Sequence, residues 1–122
     1  MPQSLSQKTS DLGRVSENFA VGLLQSKGYK IIDRNFHSRF GEIDIVAEIN
    51  NTVVFVEVKA RWSNKFGLPE EAVTPQKIWK IKKTADYYCL INSIKDKKMR
   101  IDVVAMEMDG NKVLSSKIIQ VD

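Results

Sequence analysis

The chain has 122 residues, 43% of them hydrophobic and 28% charged, a balance that suits one globular domain. A formal net charge of +4 permits an anionic partner without requiring one. One cysteine, Cys89, excludes an intramolecular disulfide and, beside a single histidine, argues against zinc; no apolar run reaches membrane-span length, so no membrane partner and a cytoplasmic location are expected.

Residues 1–12 are polar and read as a flexible N-terminal leader, which leaves one domain over 13–122. From 13 to 27 the apolar spacing is helical, with Val15, Phe19, Ala20, Leu23 and Leu24 on one side and Gly28 as the stop. A short strand over 29–36 follows, then a hairpin at 42–49 and 53–60 around Asn50-Asn51, residues that tolerate the left-handed backbone of a two-residue turn. Its second strand is apolar on both faces over 53–58, as a central strand covered on both sides should be. A loop rich in Gly, Pro and charge spans 61–74. Thr74 and Pro75 cap and open a helix over 75–92 that buries Ile78, Ile81, Ala85, Tyr88 and Cys89, with Lys80, Lys83 and Tyr87 pointing away. Two strands, 100–108 and 112–120, meet at Asp109-Gly110. The order α-β-β-β-α-β-β implies a mixed sheet of about five strands flanked by two helices.

The hairpin carries the chemistry. With Asn50-Asn51 as the turn, opposed residue numbers sum to 101, which sets Asp44 across from Glu57 and Glu42 across from Lys59 on one face. Opposed Cβ atoms lie roughly 4.5–5.5 Å apart, where like charges repel. Two carboxylates there need neutralising, and a divalent cation does so. Mg²⁺ prefers oxygen ligands and keeps several waters, so one or two carboxylates suffice to hold it. Asp44 and Glu57 are the expected ligands, and Lys59 the group that orients an attacking water or offsets charge in the transition state. The bland alternative is a solvated face with a Glu42–Lys59 ion pair.

Asp44 followed by Glu57-Val58-Lys59 resembles the PD-(D/E)XK nuclease signature, although Ile43 stands where that signature has proline. More closely, the chain resembles the YraN-like family of small bacterial proteins. The matching stretches are Gly13-Arg14-Val15-Ser16-Glu17, Gly28-Tyr29, Arg34-Asn35-Phe36, Gly41-Glu42-Ile43-Asp44, Val54 to Arg61, Phe66-Gly67, Lys77 and Arg100 to Val104. The resemblance implies an α/β restriction-endonuclease-like fold and a metal-dependent endonuclease that uses Mg²⁺ or Mn²⁺ on DNA, branched or junction DNA included. It also implies Glu17 as a third acid of the metal cluster. Glu17 equally suits a favourable first-turn acid at a helix N-terminus.

Arg39, Arg61, Lys65 and Lys77 are candidates for a phosphate track around the acids, while Lys80 and Lys83 fit a plain solvated helix face. Trp62 and Phe66 could stack on bases or cover a core edge. His37 reads as an ordinary loop residue, and Arg100 with Asp102 as a structural ion pair. Cutting two strands needs two active centres and related resolvases pair up, so a homodimer is expected. A second reading keeps the fold as a non-cleaving nucleic-acid-binding accessory protein.

Overall fold

A computed structural model describes the backbone of residues 5–62 and 73–122, and their side chains from Gly13 onward. The elements are α1 (Leu5–Ser26), β1 (Lys30–Ser38), β2 (Gly41–Ile49), β3 (Thr52–Arg61), α2 (Pro75–Ile91), β4 (Lys98–Asp109) and β5 (Lys112–Gln120), in the order the sequence implies. α1 starts at Leu5, inside the stretch expected as a leader. Once a helix is nucleated, each further residue adds one hydrogen bond, so a polar turn can extend it upstream of its apolar face. Among the described residues no helix is long and apolar enough to cross a membrane.

The five strands lie in sequence order, every neighbouring pair antiparallel except β3 and β4, which run parallel. The parallel step follows from α2, which occupies the crossover between them. β3 is therefore central, and its alternation feeds two cores. Val54 and Val56 pack with Ala20 and Leu24 of α1, while Val53 and Phe55 pack with Ile81, Ala85 and Tyr88 of α2. Each such side chain, fully buried, contributes about 1.5–3 kcal/mol.

Turn chemistry fixes the connections. α1 ends in a Schellman arrangement: Gly28 N–H donates to the Gln25 carbonyl and Tyr29 N–H to that of Leu24, both at 3.0 Å, with Gly28 left-handed at φ 93°. Asn50 and Asn51 both adopt positive φ (50° and 58°), the backbone of a two-residue hairpin turn. In the last hairpin Asp109 is still paired, with Lys112, so the turn is Gly110-Asn111, one residue later than expected. Thr74 caps α2 by accepting from Lys77 N–H at 3.2 Å. Tyr87 does not point away from the protein; its ring meets Phe40 at 5.3 Å and Phe36 at 6.4 Å.

Candidate active site

The β2–β3 ladder follows the expected register, opposed numbers summing to 101, from Ile49–Thr52 as far as Ile45–Val56. There it stops. The next polar link is made by a side chain: Val58 N–H donates to the Asp44 carboxylate, Oδ2, at 2.8 Å. Asp44 and Glu57 are neighbours across a splayed end of the hairpin, and the expected Glu42–Lys59 pair is not formed. Glu42 instead meets His37 on β1 at 3.5 Å, and Lys59 Nζ lies 3.2 Å from Glu57 Oε1.

The splay has a local cause. Ile45 and Ala47 face α1 and Val46 faces α2, but Ile43 also packs on the α2 side, so the alternation breaks at Asp44. On β1 the residue between the partners of Ile45 and Ile43 is Asn35, whose φ is 56°. A left-handed residue turns the strand locally, and asparagine is one of the few that tolerate it. The irregularity spans both strands and leaves the Asp44 carboxylate on the α1 side.

There Asp44 lines a cleft of about 490 Å³ with Glu17, Ser16, Arg34, Asn35 and Val58 among its walls. Glu17 lies in the body of α1 and not in its first turn, which removes the helix-end reading; the longer helix is the reason. Its Oε1 accepts from Arg34 Nε and Asn35 Nδ2, both at 3.0 Å, and its side chain is 15% exposed. Arg34 is held further by donating to Asn18 Oδ1 at 2.6 Å. Burial, then the negative charge of Glu57, push the Asp44 carboxyl up from 3.8 to about 6; Glu17 adds to the rise, and the Val58 N–H and Lys59 oppose it.

Glu57 opens on the α2 side, into a cleft of about 230 Å³ lined by Gly41, Glu42, Lys77, Lys80, Ile81 and Thr84. The two carboxylates therefore do not share one face as expected, because the break at Asp44 turns its side chain to the α1 side. Lys77 is pulled below the ordinary lysine range first by its contact with the Lys59 ammonium, then by desolvation, while Glu57 acts the other way and Arg61 adds repulsion. Lys59, Lys77 and Arg61 thus crowd around one carboxylate.

Other expected residues fall elsewhere. Arg39 sits at the β1–β2 turn with its guanidinium 4.9 Å from the centre of the Phe40 ring. Trp62 donates its indole N–H to the Gly110 carbonyl at 2.8 Å, which ties it to the last hairpin. Lys65 and Phe66 lie outside the described residues. Arg100 and Asp102 do form a structural ion pair, with Tyr29 as a third member: Arg100 Nε and Nη2 and the Tyr29 hydroxyl all donate to Asp102 at 2.8 Å. Sequence reasoning assigned no role to Asn35 or Arg34. The one available signal was Asn35 itself, a residue suited to left-handed backbone inside a strand pattern.

Among the described residues no three acidic, histidine or cysteine side chains form a closed metal cage. The donor set nevertheless fits a hard cation that needs few protein ligands. It offers carboxylate oxygens only, and Asp44, half-buried beside a second carboxylate, has its carboxyl pushed up in a way that a bound cation would reverse.

A five-stranded mixed sheet between two helices, with Asp44 and the Glu57-Val58-Lys59 strand at its splayed centre, defines a restriction-endonuclease-like domain. Residues 16–106 match the model of the Uncharacterised protein family UPF0102, and the chain belongs to this family, the YraN-like group of the PD-(D/E)XK nuclease superfamily. Among its relatives, a UPF0102 protein of Persephonella marina is 48% identical over 94 residues, covering 77% of this chain and 81% of the relative. One from Syntrophomonas wolfei is 45% identical over 109 residues (89% and 95%), and one from Caldicellulosiruptor bescii 49% over 100 residues (81% and 84%).

Proposed function

We propose that this protein is a metal-dependent endonuclease that hydrolyses phosphodiester bonds in DNA, branched or junction DNA included. The observation that carries the reading is Asp44: a half-buried carboxylate beside Glu57, pushed up to about 6 at the point where two strands part. A purely structural position gains nothing from that repulsion, and perturbed carboxylates of this kind cluster at functional sites.

Asp44 and Glu57 would hold Mg²⁺ or Mn²⁺, with Glu17 beside them. When bound, the cation polarises a phosphoryl oxygen and lowers the pKa of water. Lys59 orients the attacking water and offsets developing charge. Its present partner is Glu57, 3.2 Å away, so a ligand that engages Glu57 frees the ammonium for that task. Lys77 and Arg61 stand on the same flank and would bind the phosphates on either side of the scissile bond. Val58 N–H fixes one oxygen of Asp44 and leaves the other for the cation. A second copy of the chain would supply the second cut.

The test is cleavage of linear, flapped and four-way DNA in Mg²⁺ or Mn²⁺, comparing wild type with Asp44→Asn and Lys59→Ala. Asn keeps an acceptor for Val58 N–H and removes the charge, so the variant folds; its activity falls by about a hundredfold or more. Equal cleavage by Asp44→Asn refutes the assignment.

One observation favours the non-cleaving reading. Glu57 is already paired by Lys59, and Glu17 by Arg34 and Asn35, so part of the acidic set is neutral without a metal. Wild type that binds DNA tightly but cuts no substrate in either metal would select that reading.

A further inference from the structure

At the C-terminal end of α1 lies a larger cleft, of about 660 Å³, that the nuclease reading does not use. It runs between the end of α1, the Asn50 turn and strands β4 and β5. Its cations are Lys27, Arg100 and Lys117, and its apolar wall is Leu23, Ile49 and Ile118. Asp102 is the lone acid in its lining, and that carboxylate is 1% exposed and fully engaged.

The geometry of Arg100 is the informative part. Asp102 receives Nε at Oδ1 and Nη2 at Oδ2, both at 2.8 Å. Nη2 also donates to the Tyr29 hydroxyl at 2.9 Å, which in turn donates to Asp102 Oδ2 at 2.8 Å. The guanidinium is locked in plane, yet 22% of the side chain stays exposed, and Nη1 has no partner among the described residues. Burying a carboxylate to hold an arginine is weak as a stabilising device, because a hydrophobic replacement often does as well. Its distinct effect is to aim the remaining N–H groups, and a preorganised guanidinium fork suits phosphate.

We propose that this cleft binds a small phosphorylated ligand of the nucleotide class. The phosphate sits on Arg100 with Lys27 and Lys117 beside it, and the base or sugar packs on Leu23, Ile49 and Ile118. A polymer backbone track has no use for an aliphatic wall, whereas a compact ligand with an anionic end and a less polar body uses both. The volume falls in the usual range for small-molecule sites, about 300–1,000 Å³.

The experiment is calorimetric titration of AMP, ATP and inorganic phosphate into the full chain at low salt without divalent cations. AMP or ATP binds saturably below about 1 mM, and inorganic phosphate at least about tenfold more weakly. Arg100→Lys loses the fork and weakens nucleotide binding about tenfold or more. Because Arg100 also neutralises Asp102, Lys27→Glu serves as the second variant: the residue is exposed, the fold is retained, and binding weakens by a similar factor. Asp44→Asn binds as wild type does, which separates this site from the nuclease one. The proposal is overturned by no saturable heat, by unchanged binding in Lys27→Glu, by phosphate binding as tightly as the nucleotides, or by loss of binding in Asp44→Asn.

Discussion

Replacing Asp44 by asparagine should make the protein more stable, and only at neutral and higher pH. Burial and the Glu57 charge raise the Asp44 carboxyl from 3.8 to about 6. The folded state therefore holds this proton more tightly than the unfolded chain does. The contribution of Asp44 to stability is full below pH 3.8 and falls as pH rises through 6, the reverse of an ordinary ion-paired carboxylate. At 1.36 kcal/mol per pH unit between the two values, ionised Asp44 costs the fold roughly 3 kcal/mol. Asparagine does not titrate, and its side-chain carbonyl can accept the Val58 N–H that Oδ2 accepts now at 2.8 Å. Urea unfolding at pH 4 and pH 8, with chelator present, reads the difference directly. The gap between variant and wild type should move in favour of Asn by about 2–3 kcal/mol across that range. A gap that stays constant with pH means that Asp44 ionises without penalty, and the argument for an under-neutralised site fails.

Gly41→Ala should cost about 1–3 kcal/mol in the same unfolding assay, because Gly41 has φ 148° and an added Cβ would stand 3.0 Å from Thr84 Oγ1. Tyr29→Phe should lower stability by about 1–3 kcal/mol, since it removes a donor to the buried Asp102 carboxylate and an acceptor of Arg100; no loss would mean that the carboxylate is satisfied without it. Lys77→Ala should reduce by about one the slope of log K for DNA against log salt, with little effect on folding, because the residue is exposed.

The regular half of the protein was legible because its determinants are local. Asn50-Asn51 set the hairpin register, Thr74-Pro75 opened α2, and the two-sided apolar run of 53–58 marked the central strand. What was not legible depends on contacts between distant segments. The ladder break at Asp44 needs Asn35, on another strand, to turn left-handed. The pairing of Glu17 with Arg34 and Asn35 needs α1 laid against β1. Arg100 and Asp102 share a face two residues apart, so their pairing could be read from the strand, but Tyr29 comes from the connection between α1 and β1. Lys77 meets Lys59 only because α2 crosses back over the sheet.

The ladder break at Asp44 and the Lys59–Lys77 contact flank the splayed end of the hairpin from its two sides and carry opposite charge errors. On one side the Asp44 carboxyl is held up by desolvation first, then by the charges of Glu57 and Glu17, so it is short of positive charge. On the other, Lys77 is held down by Lys59 and Arg61, so it lacks negative charge. A cation alone would relieve the first and draw Glu57 away from Lys59, worsening the second; a phosphate alone would do the reverse. A cation and a phosphodiester together correct both. In the proposed site they should bind cooperatively, each raising the affinity of the other by the same factor. Typical couplings give about 5–150-fold. Mg²⁺ titrations with and without a short duplex, and duplex titrations with and without Mg²⁺, measure the two arms independently, with the duplex alone as the blank for its own counterions. Equal enhancement in both arms, lost in Glu57→Gln, is the expected result. Independent binding of the two would show that the acids and the lysines do not serve one substrate.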